Sequence, residues 1–140
     1  MPAKGSAEWQ GDLKSGSGTF TAGDSISGDY SFKSRFEDGP GANPEQLIAA
    51  AHAACFSMAL SAGLGDAGTP ADSVKTAATV TLRFVDGAPT ITSIALTTVG
   101  SVPGIDEETF KAAAQGAKEG CVVSRALAGV PEITLDATLA

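Results

Sequence analysis

Hydrophobic positions follow three different patterns along the chain, and the first covers residues 7–36. There apolar and polar residues alternate loosely and glycines interrupt the alternation, as in "GDLKSGSGTFTAGDSISGDYSFKSRF". This is typical of short antiparallel strands joined by tight turns. We therefore expect a meander of two or three strands, with Arg35 at the end of the last one.

An alanine-rich apolar run after the loop "EDGPGANP" predicts a long helix. Asn43 suits the N-cap, Pro44 suits the first helical position, and the carboxylate of Glu45 suits the positive end of the helix dipole. The run extends to about Leu64, before Gly65. Because it is apolar nearly all round, we expect a core helix, and its alanines would let a neighbouring element approach closely.

The third pattern fills the rest of the chain. Segments 74–85 and 90–99 are rich in Val, Thr and Ile and flank "DGAP", which predicts a hairpin of two long strands. "VPGIDEETFKAAAQGAKEG" predicts a second helix that Gly120 ends, Cys121 would begin a short helical turn, and "PEITLDATL" predicts a last strand. This order favours an antiparallel α+β fold in a single domain over residues 1–140.

Charge and cysteine content narrow the function. A net charge of −7 argues against nucleic acid and anionic membranes as partners. We expect no run to approach the ~18–20 apolar residues that cross a bilayer, and the N-terminus has no signal-like apolar segment, so we expect a cytoplasmic protein. In a reducing compartment, a disulfide between the only two cysteines would be transient, which indicates redox chemistry.

The two cysteines each allow two interpretations. Cys55 is either a small buried hydrophobic residue or a reactive thiol. Cys121, at the start of a short helix, would face free backbone N–H groups that lower the pKa of a thiol, or would simply pack at the cap. Together they suit a peroxidatic and a resolving thiol, because a sulfenic acid on one condenses with the other. Their positions in the sequence do not show whether they meet.

His52, Arg35 and Glu45 are the other candidates for chemistry. His52 lies three residues before Cys55 and could form a dyad or a metal pair with it, but too few ligands are present for zinc, which favours a core histidine. Arg35 could hold a thiolate while Glu45 orients its guanidinium; the alternative is a surface ion pair. Ten helical residues, or about 15 Å, separate Glu45 from Cys55, so Arg35 bridges them or Glu45 comes from a second subunit.

Five segments carry a resemblance to a known family: "NPEQLIAAAHAACFSMALS", "SRFEDGPG", "VPGID", "AKEGCVVSRAL" and "EITLDATL". They resemble the OsmC/Ohr family of thiol-dependent peroxidases, and "SRFE", "AHAACFSMAL" and "VPGID" are closer to the OsmC branch. The resemblance implies an intertwined homodimer of α+β subunits, with antiparallel sheets packed around central helices and active sites at the subunit interface. It also implies that Cys55 is peroxidatic, that Cys121 resolves, and that Arg35 and Glu45 activate Cys55.

The resemblance further implies substrates and a reductant. Organic hydroperoxides would be preferred to hydrogen peroxide. Our own hypothesis is that Phe36, Leu47 and Met58 line an apolar pocket, which would favour an alkyl hydroperoxide because it buries the alkyl chain. No bound cofactor is expected, and an external dithiol, either dihydrolipoamide or a lipoylated protein, would regenerate the thiols. The alternatives are a module that binds a small apolar ligand and a stress-interaction protein, both with structural cysteines.

Overall fold

The computed structural model describes residues 1–140, and contacts divide the chain into two units, Met1–Leu47 and Ile48–Ala140. Six strands and four helices follow one another along the chain. In order they are β1 (Gly5–Gln10), β2 (Ser17–Ala22), β3 (Ile26–Tyr30), α1 (Phe32–Phe36), α2 (Pro44–Asp66), β4 (Ser73–Val85), β5 (Ala88–Ser101), α3 (Glu107–Gly120), α4 (Val122–Ala126) and β6 (Glu132–Leu139).

The first unit contains the predicted meander. Strands β1, β2 and β3 form an antiparallel sheet in that order, with Gly18 paired to Trp9 on one side and to Tyr30 on the other. A Cβ atom on Gly18 would lie 2.6 Å from the ring of Tyr30 and 2.8 Å from that of Trp9. The two rings therefore close over the middle strand only because that position has no side chain.

Helix α1 takes the place of the strand end that was predicted for Arg35. A capping box starts it: Ser34 N–H donates to Ser31 Oγ at 3.1 Å, and Ser31 N–H donates to Ser34 Oγ at 2.8 Å. These bonds satisfy donors that the end of a helix leaves free. The expectation of a strand at Arg35 was wrong, because the box here uses serine at its fourth position instead of Glu or Gln.

Helix α2 begins as the sequence predicts. Asn43 Oδ1 accepts a hydrogen bond from the N–H of Gln46 at 2.8 Å, and Pro44 is the first helical residue. The helix continues to Asp66, two residues beyond the predicted end at Leu64.

The expected burial of α2 on nearly all sides is not observed, although Phe56, Leu60 and Leu64 are buried. Its apolar stretch has a mean hydropathy of 1.7, yet only 22% of that stretch is buried within the chain, and Met58 is 75% exposed. The expectation that its own chain encloses α2 as a core helix was therefore wrong. The expectation that no run approaches the length of a membrane span was also wrong, because α2 is long and apolar enough to cross a membrane. Length and composition alone do not distinguish such a span from a helix of a soluble fold.

The sheet of the second unit is mixed. Strands β4 and β5 form the predicted hairpin, in which Asp86 (φ 51°) and Gly87 (φ 79°) adopt the left-handed backbone of a two-residue turn. Strand β6 pairs parallel to β5, with Leu135 opposite Leu96. A parallel pair needs a long crossover, and α3 and α4 supply it. The α+β class is confirmed, while the pairing of β6 departs from the expected antiparallel arrangement.

One hydrophobic cluster joins α2, the sheet and α3 in the second unit. It contains eleven buried residues. They are Phe56, Leu60, Leu64, Ile94, Leu96, Val102, Phe110, Ala114, Ala117, Cys121 and Ala137. Because Cys121 belongs to this cluster and Cys55 packs against it, core packing determines where both sulfur atoms lie.

Replacing Gly100 tests this packing. A Cβ on Gly100 would lie 2.5 Å from Cζ of the buried Phe110, so Gly100→Ala should lower the free energy of unfolding by about 1–3 kcal/mol. Gly116→Ala is the matched control at an exposed position of α3, where an added Cβ has no atom within 4 Å, and it should raise the free energy of unfolding by roughly 0.5–1 kcal/mol. Urea unfolding midpoints measure both. Equal shifts would show that Phe110 moves aside freely.

Candidate active site

The two cysteines meet, although they lie far apart in the sequence. Cys55 is on α2 and Cys121 connects α3 to α4, and their Sγ atoms are 2.9 Å apart. Both are free thiols. Cys121 is buried, while Cys55 is partly accessible. The two thiols are thus close enough for a sulfenic acid on one to condense with the other.

The backbone holds Cys121 from both sides. Its N–H donates to the carbonyl of Ala117 at 2.8 Å and ends α3, and its carbonyl accepts from the N–H of Arg125 at 3.0 Å and begins α4. The predicted helical turn at Cys121 is therefore present. Because each helix contributes one hydrogen bond, the backbone of Cys121 is held in place at the junction of the two helices.

Opposing effects act on the pKa of Cys121. Burial raises it, but the Cys55 thiol, the N–H and hydroxyl of Ser124 and the N–H of Val123 lower it, and together they bring the pKa below its usual value. The Cys121 side chain makes no capping hydrogen bond at the start of α4. The donors at the start of α4 therefore act on the sulfur mainly as dipoles that favour the thiolate.

The pKa of Cys55 moves in the opposite direction. Burial and the neighbouring Cys121 thiol raise it, and the N–H groups of Val123 and Val122 offset only part of the effect. The contact geometry has Cys121 donating to Cys55, whereas these shifts favour the first ionisation at Cys121. One proton shared between two close sulfurs accounts for both observations, so the pair ionises as a unit. The surroundings within the second unit favour the charge on Cys121.

His52 is buried as a core histidine, but its partner was not expected. It is completely inaccessible, its Nε2 lies 2.7 Å from Ser124 Oγ, and its Nδ1 has no hydrogen-bond partner within the chain. Burial lowers the pKa of His52, which keeps the ring neutral near physiological pH. Its hydrogen bond therefore joins it to Ser124 rather than to Cys55. No cluster of three His, Cys, Asp or Glu side chains forms a metal site.

Ser124 is the residue at this site that the sequence analysis did not single out. It is the third residue of α4, after the N-cap residue Cys121. In "CVVS", Ser124 lies three residues after the N-cap residue Cys121, which is the spacing between an N-cap side chain and the backbone N–H that it faces. This spacing was the signal in the sequence that could have indicated Ser124.

Arg35 and Glu45 form the predicted contact inside the first unit. Arg35 Nη2 donates to Glu45 Oε1 at 2.8 Å, and Arg35 Nε lies 3.2 and 3.3 Å from the two carboxylate oxygens. The Glu45 side chain is 9% exposed and that of Arg35 is 38% exposed. The guanidinium carbon also lies 5.4 Å from the ring centre of Phe36. The fork geometry and the ring hold the guanidinium more firmly than an isolated surface ion pair would.

The three predicted pocket residues do not share one hollow. Phe36 lines a hollow of about 180 Å³ together with Trp9, Leu13, Tyr30, Ser31, Phe32 and Arg35. Leu47 lines a separate, mostly apolar hollow of about 140 Å³ together with Ala7, Phe20, Tyr30, Asn43 and Pro44. Met58 lies exposed on α2. A pocket that uses all three residues stays a prediction.

Comparison with known proteins places these features in a family. The family model described as "OsmC-like protein" matches residues 37–136, a segment that includes both cysteines and Glu45. The chain belongs to the OsmC family. Arg35 lies just before the matched segment.

Individual relatives agree with this placement. Peroxiredoxin OsmC of Escherichia coli K12 is 51% identical over 135 residues, covering 95% of this chain and 93% of its own. The OsmC branch and the predicted class, a thiol-dependent peroxidase in stress defence, are thereby confirmed.

Solved structures show the same fold. The organic hydroperoxide resistance protein OhrB of Bacillus subtilis superposes with a TM-score of 0.71 at 26% identity, covering 100% of this chain and 98% of its own. An OsmC-like protein from Mycoplasma pneumoniae, at 17% identity, superposes with a TM-score of 0.75, covering 99% and 97% of the two chains. At that identity the second comparison supports the fold alone.

The buried His52 predicts a specific pH dependence of stability. Its pKa in the folded protein is below the ordinary 6.5, so the unfolded chain binds the proton first and the free energy of unfolding should fall as the pH drops below about 6.5. Urea titrations at fixed protein concentration between pH 7.5 and 5.5 measure this slope. His52→Gln, which has no ionisable ring, should show a shallower slope. Identical slopes in the two proteins would contradict the assignment.

Proposed function

We propose that this protein reduces organic hydroperoxides to alcohols, and hydrogen peroxide more slowly, in defence against oxidative and osmotic stress. In this proposal Cys55 is the peroxidatic cysteine and Cys121 the resolving one. The observation that carries it is the 2.9 Å contact between the Sγ atoms of two free cysteines, in a chain of the OsmC family. The site is proposed to act in the cytoplasm, where the disulfide is transient.

The reaction balances with these groups and an external dithiol. The Cys55 thiolate attacks the terminal peroxide oxygen, the O–O bond breaks, and the alkoxide leaves and is protonated to an alcohol. Cys55 becomes a sulfenic acid, which Cys121 attacks to form a disulfide and release water. A dithiol, dihydrolipoamide or a lipoylated protein, then reduces the disulfide by thiol exchange.

Accessibility supports Cys55 as the thiol that meets the peroxide. Cys55 is partly exposed, whereas Cys121 is only 1% exposed and lies inside the hydrophobic cluster. The raised pKa of Cys55 is the obstacle, because only a thiolate attacks peroxide efficiently. A nearby cation removes this obstacle by stabilising the charged sulfur.

Arg35 is proposed to be that cation, with Glu45 holding its guanidinium. The bidentate contact leaves Nη1 of Arg35 without a carboxylate partner, and the side chain remains 38% exposed. A guanidinium in this state can stabilise both the thiolate and the departing oxygen. Since Glu45 and Cys55 lie about 15 Å apart along one helix, we propose that the Arg35–Glu45 pair of one subunit serves Cys55 of the other.

The surface of α2 supports the homodimer that this arrangement requires. The helix is apolar but only 22% of its hydrophobic stretch is buried, and Met58, one turn after Cys55, is 75% exposed. Val122, next to Cys121, is 65% exposed. An apolar surface of this kind is typical of an interface between subunits. A second copy over it would also enclose an apolar path to Cys55, to which Phe36 and Leu47 are proposed to contribute.

Cysteine variants test the assignment of roles. Cys55→Ser should abolish consumption of cumene hydroperoxide, because no thiol then meets the peroxide. Cys121→Ser should complete one turnover and then over-oxidise to the sulfinic acid, since nothing resolves the sulfenic acid. Stopped-flow kinetics with a dithiol, and mass spectrometry of the protein, provide the readouts. Sustained turnover in Cys55→Ser would sink the assignment.

The same kinetics tests substrate preference. An enclosed apolar path should favour cumene hydroperoxide over hydrogen peroxide, because each buried methylene contributes about 0.8 kcal/mol. The ratio of the two rate constants measures this preference. If the folded protein, with both thiols intact, consumes neither peroxide, the alternative of an apolar ligand-binding module is favoured instead.

Mixed dimers test the shared site. Glu45→Ala and Cys55→Ser chains should each be nearly inactive, whereas a heterodimer would combine Cys55 of the first chain with Glu45 of the second. Mixing should therefore restore up to one active site per heterodimer. A parallel mixture of two Cys55→Ser preparations is the control. Inactivity after native mass spectrometry has verified subunit exchange would favour a site built within one chain.

A further inference from the structure

A buried polar pair lies beside the resolving cysteine, and the reaction above does not use it. His52 is completely inaccessible and Ser124 is 7% exposed, and their side chains are 2.7 Å apart. Polar groups that are costly to bury are usually retained with a full set of partners. Here His52 Nδ1 lacks one. The pair therefore needs an explanation beyond packing.

The unpartnered nitrogen indicates which tautomer is present. A buried N–H without an acceptor is rarer in proteins than a buried lone pair without a donor, so the proton is placed on Nε2. His52 Nε2–H then donates to Ser124 Oγ. A hydroxyl has a single hydrogen, and with this tautomer it cannot point at the imidazole. It is free to point at another acceptor.

Cys121 provides that acceptor. Ser124 is the third residue of α4 and Cys121 is its N-cap residue, so one helical turn brings the serine alongside the sulfur. The Ser124 hydroxyl is also among the groups that lower the pKa of Cys121. Ser124 thus connects the two residues: its side chain is hydrogen-bonded to His52, and it lies in the first turn of the helix that Cys121 caps.

We propose that His52 is a positioning residue for the resolving step: it fixes the Ser124 hydroxyl in the orientation that stabilises the Cys121 thiolate as it attacks Cys55. The inference rests on the proposed function, in which Cys121 resolves a Cys55 sulfenic acid. His52 itself stays neutral throughout, since burial disfavours its charged form. It touches neither peroxide nor sulfur in this role.

The step balances without a further reactant. The Cys121 thiolate forms the S–S bond as the S–O bond of the sulfenic acid breaks, and the leaving hydroxide takes up a proton to become water. The proton that Cys121 lost on ionisation equals the one that hydroxide gains. The Cys55 sulfur is reduced and the Cys121 sulfur is oxidised, so no other oxidant or reductant takes part.

The groups that act on Cys121 come from every element around it. Helix α2 contributes Cys55, and α4 contributes the N–H of Val123 and the N–H and hydroxyl of Ser124. Helix α3 contributes the Ala117 carbonyl, which binds the N–H of Cys121 and not its sulfur. Cys55 is the only one of these groups that is ionisable. Removing the Cys55 thiol therefore isolates the effect of the hydrogen-bond chain.

The test measures the pKa of Cys121 in a Cys55→Ala background from the ultraviolet absorbance of the thiolate. Ser124→Ala should raise this pKa by about one pH unit, the amount expected for a hydrogen bond to a charged group. His52→Met should raise it by a similar amount. The double variant should raise it no further, because the two residues act as one chain.

Conservative variants separate positioning from packing. The amide nitrogen of His52→Gln can replace Nε2–H, and Ser124→Thr keeps the hydroxyl, so each should leave the pKa of Cys121 close to that of the Cys55→Ala parent. Circular dichroism confirms folding. If His52→Met does not fold, the comparison of Ser124→Ala with Ser124→Thr and His52→Gln decides the question without it. An unchanged pKa of Cys121 in folded Ser124→Ala, or a similar rise in all variants, would overturn the inference.

A kinetic readout in chains with both cysteines keeps this inference distinct from the proposed function. Rapid-quench mass spectrometry with cumene hydroperoxide should show that the sulfenic acid forms in Ser124→Ala at an unchanged rate. Disulfide formation should be about tenfold slower near neutral pH, because a pKa one unit higher lowers the Cys121 thiolate population about tenfold. Equal disulfide rates would contradict the positioning role. Absence of both sulfenic acid and disulfide in the unmodified protein after it meets the peroxide would instead contradict the proposed function, while the pKa comparison would still decide the inference.

Discussion

One hydrophobic cluster contains residues of both α2 and α3 and holds the two sulfur atoms in contact, and the chemistry proposed here depends on that contact. Phe56 and Leu60 of α2 are fully buried in the same cluster as Phe110 and Ala114 of α3. Cys121 is the C-cap residue of α3 and belongs to the same cluster. The parallel pairing of β5 and β6 requires a crossover, and the break between its two helices is where the second thiol lies.

Burial of the two thiols raises the pKa of each, and nearby hydrogen-bond donors lower the two pKa values by different amounts. Backbone and hydroxyl groups at the start of α4 act on Cys121 more than on Cys55, so the second unit favours a resolving thiolate. On the proposed mechanism, the Cys55 thiolate depends on a cation from outside the second unit. The two steps of the proposed reaction are thus supported by different physical means: neutral dipoles for Cys121 and a full positive charge for Cys55.

Local signals in the sequence predicted much of this arrangement. The N-cap at Asn43, the "DGAP" hairpin and the helix break at Cys121 each depend on residues within a few positions of one another, and each is present. The Arg35–Glu45 contact was also foreseen, because arginine is scarce in this chain. Helix α1 was missed since a serine completes its capping box. The parallel pairing of β6 was not predicted, because it depends on tertiary packing. Local signals did not show that the cysteines meet either; only the family resemblance implied it.

Exposure of α2 connects assembly with reactivity. Only 22% of the hydrophobic stretch of α2 is buried within the chain. Contact between the remaining apolar surface and water is unfavourable, so covering that surface stabilises the protein. On the proposed arrangement, a second subunit both covers that surface and brings the Arg35–Glu45 pair to Cys55. Without the partner, burial and the neighbouring thiol keep the pKa of Cys55 raised. The reactive thiolate would therefore form only in the assembled protein, where an apolar path already selects the substrate that reaches it.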